Sequence, residues 1–96
     1  MNFLENLSKI SVDINVIDKL TSKNQLLSLK KGTYYIHNII SDEKIFYNIP
    51  LHERRYCLLE VLKPTIDSFF RLLTFSETVK EYLCFINSNG TIIGFS

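Results

Sequence analysis

The 96-residue chain predicts an α+β fold: a small antiparallel sheet of two hairpins, four or five strands, packed with a long kinked central helix and an N-terminal helix. Three observations predict it. An apolar stripe at helical period runs from Leu51 to Leu73. Two runs rich in Tyr, Ile and Phe, 33–40 and 44–49, flank the turn formers Ser41-Asp42-Glu43. The dipeptide Asn89-Gly90, a strong tight-hairpin signal, separates the apolar runs 82–87 and 91–95.

Taken in chain order, Phe3, Leu4, Leu7, Ile10, Ile14 and Ile17 fall on helical spacing, while Ile10, Val12, Ile14 and Val16 also alternate as in a strand. Helix is expected over 3–9, and 10–20 is left between helix and strand. Residues 25–29 read as a short strand turned by Lys30-Lys31-Gly32. In the first hairpin Ile40 would oppose Ile45, Asn38 would oppose Tyr47, and Ile36 would oppose Ile49. Its second face, with Tyr35, His37, Ile39, Phe46 and Asn48, is half polar and aromatic and is the first candidate for a binding surface.

Pro50 suits a helix start. Leu51, Leu58, Leu59, Leu62, Ile66, Phe69, Phe70 and Leu73 then keep phase through Pro64, which predicts a kinked helix rather than a turn. Its polar side would carry Glu53, Glu60, Lys63, Asp67 and Arg71, with Asp67 and Arg71 paired one turn apart. Ser76 is read as the cap of a helical turn over 77–81. In the terminal hairpin Ile86 would face Ile93 and Cys84 would face Phe95, leaving both faces apolar. Three strands, a helix and two strands over 25–96 resemble the order of the five-stranded OB barrel. That resemblance is one of topology alone, without a sequence motif.

Leu and Ile supply 25 residues and alanine none, and the apolar fraction of 46% with 22% charged residues is that of an ordinary globular chain. One domain over 1–96 is expected. Surface scaling gives such a chain about 5,700 Å² of exposed surface, enough for one core and not for a core plus a deep substrate cavity. The net charge of +1 lacks the basic excess of duplex-DNA binders. Cys57 and Cys84 sit among apolar neighbours and read as buried thiols of a reducing compartment. With no signal-peptide pattern and no long apolar run, a cytoplasmic protein without membrane partners is expected. Abundant Ile, Asn, Lys, Phe and Tyr match A/T-rich codons, a usage common in phages, viruses and low-GC bacteria.

Catalytic chemistry is poorly provided for. The histidines are His37 and His52. His52-Glu53-Arg54-Arg55-Tyr56 starts like a zinc-protease helix, but Tyr56 stands where the second imidazole is needed. The glycines Gly32, Gly90 and Gly94 form no phosphate-cradling loop. No catalytic residue, cofactor or metal is therefore expected. Two functions remain. One is a non-enzymatic protein-interaction module (an adaptor, inhibitor or assembly subunit acting by occlusion) that binds another protein or a second copy of itself through Leu83, Phe85 and Ile92. The other is single-stranded nucleic-acid binding, with Tyr35, His37 and Phe46 stacking bases while Lys30, Lys31, Arg54 and Arg55 contact phosphates.

Overall fold

A computed structural model of the chain describes residues 14–63 and 66–96. They form one six-stranded mixed sheet in the order β1-β2-β3-β4-β5-β6. The strands are β1 (Ile14–Leu20), β2 (Gly32–Ile39), β3 (Arg55–Leu62), β4 (Ser68–Thr74), β5 (Lys80–Ile86) and β6 (Ile92–Ile93). β1 runs parallel to β2, and every later pair is antiparallel. The strands follow one another across an open sheet and do not close into a barrel.

This corrects the expected α+β fold. The long kinked helix is absent: its stripe divides between β3 and β4. Leu58 and Leu62 point to one face of the sheet and Cys57, Leu59 and Val61 to the other. A strand apolar on both faces loses its alternation, so it mimics helical spacing. The expected N-terminal helix over 3–9 lies outside the described residues. Of the ambiguous stretch, 14–20 is strand. The helical turn expected over 77–81 does not form, and β5 begins at Lys80.

Residues expected as a strand form instead the short helix α1 (Lys23–Ser28), which crosses from β1 to β2. Ser22 caps it, its hydroxyl accepting from the Gln25 N–H at 3.0 Å. The first predicted hairpin is also replaced. Lys44–Phe46 and Leu51–Glu53 are 3-10 turns in the long connection between β2 and β3, and Ile36 pairs with Cys57 rather than Ile49. Ile45, Phe46 and Ile49 of this connection are buried. They lie with Leu26 of α1 and Phe95 over one face, against Ile36, Leu59, Val61, Phe70, Leu72, Cys84 and Ile86. Each fully buried Phe or Leu there contributes about 1.5–3 kcal/mol by leaving water.

Arg54 holds the connection in place. Its guanidinium donates to the carbonyl oxygens of Ile49 at 2.8 Å, Ser41 at 2.7 Å and Phe46 at 2.6 Å. The terminal hairpin exists with its register shifted beside the loop and regained farther out, where Leu83 and Ser96 exchange backbone hydrogen bonds at 3.1 Å. Ser88, Asn89 and Gly90 make a three-residue loop closed by the Asn87 N–H donating to the Thr91 carbonyl at 2.9 Å, with Gly90 at φ 94°. Ile86 therefore faces Ile92 rather than Ile93, and Phe85 faces Ile93.

Candidate binding surfaces

The core elements all lie on one side of the sheet, and among the described residues no helix or strand covers the other. The pairing register sorts the side chains of this open face into rows. One row holds Leu62, Phe69, Phe85 and Ile93. The next holds Ile14, Thr33, Glu60, Arg71 and Leu83. A third holds Val16, Tyr35, Leu58, Leu73 and Glu81. Leu58 is buried yet stands outside the core cluster. Leu83 and Ile93 remain exposed, at 39% and 55%.

An ion triad stands among these apolar rows. Arg71 donates to Glu60 at 2.7 Å and to Glu81 at 2.6 Å. Glu81 first, then Glu60, hold the guanidinium still more firmly in its charged form. Two carboxylates against one guanidinium leave the triad with one net negative charge.

A second constellation lies at the corner where β2 ends and β3 begins. The rings of Tyr35, His37 and Tyr56 gather there, with centroids 5.3 Å apart for Tyr35–His37, 6.2 Å for His37–Tyr56 and 6.4 Å for Tyr35–Tyr56. The two tyrosine rings lie within 26° of parallel. His37 Nδ1 is 3.3 Å from Asp18 Oδ1. Tyr56 has φ 57°, where a bulky side chain is a genuine outlier. An open cleft of about 350 Å³ adjoins the rings, lined by Asp18, Lys19, His37, Asn38, Arg55 and Tyr56.

The buried titratable cluster centres on Glu53, whose side chain is 3% exposed. Tyr82 donates to it at 2.6 Å, Lys80 at 2.9 Å and Thr74 at 3.1 Å. The hydrogen bond from Tyr82, then that from Lys80, hold the carboxyl below its ordinary range against the opposing effect of burial. Burial and Glu53 together push the Tyr82 hydroxyl up to about 12. All of the carboxylate's strong donors come from β4 and β5, so the cluster fastens the β2–β3 connection to the far half of the sheet. His52 Nε2 stands 3.6 Å from Glu53 and is mostly exposed. Cys57 and Cys84 are free and buried, and burial pushes both thiols up to about 12, far from thiolate chemistry at neutral pH. Among the described residues no group of His, Cys, Asp and Glu converges as a metal site, and no helix is long and apolar enough to cross a membrane.

Of the sequence-predicted binding residues, Tyr35, His37 and Arg55 come together. Phe46 and Arg54 do not join them: Phe46 is in the core, stacked on Phe95 at 5.9 Å, and Arg54 spends its donors on backbone carbonyls. Lys30 and Lys31 are exposed but precede β2, about 20 Å along the strand from His37. Leu83 and Phe85 share the open face, whereas Ile92 opposes Ile86 toward the core side and Ile93 takes its place. A one-residue register shift exchanges faces, which is why the pair is swapped. Sequence reasoning missed Tyr56 and Asp18. The leucines around Tyr56 read as helix, and a left-handed tyrosine has no signature in composition. Comparison with known proteins yields no match to a family model, to a curated protein or to a solved structure.

Proposed function

We propose that the chain is a small non-enzymatic binding protein that docks the open face of its sheet on another protein. The observation that carries the reading is the set of apolar rows around the Arg71 triad, with no described element packed over them. Exposed apolar patches of this kind in a small protein are typical of interaction surfaces. The net negative charge of the triad selects the occupant: an apolar surface bearing a basic side chain. A second copy would set one net negative triad against another in a drying interface, an unfavourable pairing. The buried Glu53 is committed to a structural network and both thiols are protonated, which favours binding over catalysis.

Panning a random peptide library on the immobilised protein tests this. Wild type should enrich apolar sequences carrying Lys or Arg, binding in the micromolar range, and the Leu83→Asp/Phe85→Asp double variant, verified as folded by circular dichroism, should enrich none of them. Equal enrichment on the double variant, or no enrichment on wild type, overturns the reading. Light scattering should find a monomer. A dimer dissolved by Leu83→Asp would assign the face to a second copy instead.

A further inference from the structure

We infer that the corner formed by Tyr35, His37, Tyr56 and Arg55 binds a nucleotide unit, a planar base joined to a phosphate. This goes beyond the docking reading and, Tyr35 apart, uses different residues from the rows around Arg71.

Tyr56 carries the inference. Its left-handed backbone is a strained conformation for a bulky residue, and such strain collects at binding and catalytic sites. The core does not require it: Tyr56 is 56% exposed, while its neighbours Arg55 and Cys57 both keep their ladder partners, Asn38 and Ile36. What the conformation accompanies is a ring on the open side, nearly parallel to Tyr35 and edged by His37. The hydrogen bond with Asp18 orients the His37 ring. Exposed tyrosine faces stack any base, because every base has a π-face.

The charges point the same way. Arg55 is exposed and makes no ion pair among the described residues. It lines both the cleft of about 350 Å³ and a neighbouring one of about 530 Å³ that also includes Asn38 and Ser41. Lys19 lines the first. Two cations against Asp18 make the cleft attractive to an anion and repellent to a basic side chain. A phosphate at Arg55 and Lys19, with the base over Tyr56 and its edge toward Asn38, matches ring, charge and cleft together. The phosphate can belong to a free mononucleotide or to a single strand.

Fluorescence anisotropy with a labelled ten-nucleotide oligothymidylate, and proton NMR titration with adenosine monophosphate, separate these sources. Expected for a strand is micromolar binding that weakens with salt. Tyr56→Ala should weaken it roughly 5- to 100-fold, and Arg55→Ala should flatten the salt dependence by about one phosphate's worth. If the monophosphate binds as tightly as the oligomer, the site serves free nucleotides. Tyr56→Gly keeps the test clear of misfolding: glycine accepts the left-handed backbone, so this variant should melt above Tyr56→Ala and bind no better than it. Binding by Tyr56→Gly equal to wild type overturns the inference, as does the absence of salt-sensitive binding of either probe at about 100 µM protein. The Leu83→Asp/Phe85→Asp variant should bind nucleotide as wild type does, so failure here is distinguishable from failure of the docking reading.

Discussion

Glu53 shows how one residue fixes a long connection. Its carboxylate accepts from Tyr82, Lys80 and Thr74, and the three donors together outweigh the cost of burying it. The pKa is lowered in the folded state, so its stabilising contribution is fully present above the unfolded value near 4.5 and is lost as pH falls through the folded value. Glu53→Gln, which loses the charge, is expected to unfold about 2 kcal/mol more easily in urea near neutral pH. The gap between wild type and variant should close as pH is lowered below about 4.5. A gap independent of pH would show that the carboxylate's charge contributes nothing.

At the scale of elements, legibility followed how far local pattern agreed with tertiary context. The strand expected over 33–40 was readable from its β-branched and aromatic residues, but its faces were not: Ile39, expected beside Tyr35 and His37, is buried, and Ile40, expected in the core, is exposed. The terminal hairpin was readable from Asn89-Gly90, though a three-residue loop in place of the expected two-residue turn moved its register. The central segment was not. Its leucines favour helix by intrinsic propensity, and only the partners brought by β2 and β4 make it a strand. The run at 44–49 misled for the opposite reason: its β-rich residues fold as turns because Arg54 satisfies their carbonyls while Ile45, Phe46 and Ile49 enter the core. Of the candidate site, Tyr35, His37 and Arg55 were legible as residue types, but their meeting depends on the β2–β3 register, which no local pattern encodes. The end of the hairpin depends on Gly94. A Cβ there would lie 3.0 Å from Ile45 Cα and 3.1 Å from its carbonyl oxygen, and backbone cannot yield as a side chain does. The adjacent Phe95 N–H donates to that same carbonyl at 2.9 Å. Gly94→Ala should therefore cost about 1–3 kcal/mol by separating the C-terminal segment from the connection. An unchanged urea midpoint would mean that this close approach is not needed.

For the whole molecule, a single sheet with a core on one side has two unequal faces. Among the described residues the core cluster lies on one side, so folding should draw most of its stability from that side. Phe70 is fully buried and points into the core, so Phe70→Ala should cost about 3–5 kcal/mol. Leu83, exposed on the open face of β5, should cost under about 1 kcal/mol as Leu83→Thr, since a β-branched residue suits the strand and little buried area is lost. The same Leu83→Thr should weaken peptides selected on wild type. Urea unfolding and peptide titration on the same variants separate the two roles. A stability loss at Leu83 as large as that at Phe70 would show that the open face is part of the fold rather than a surface kept for a partner.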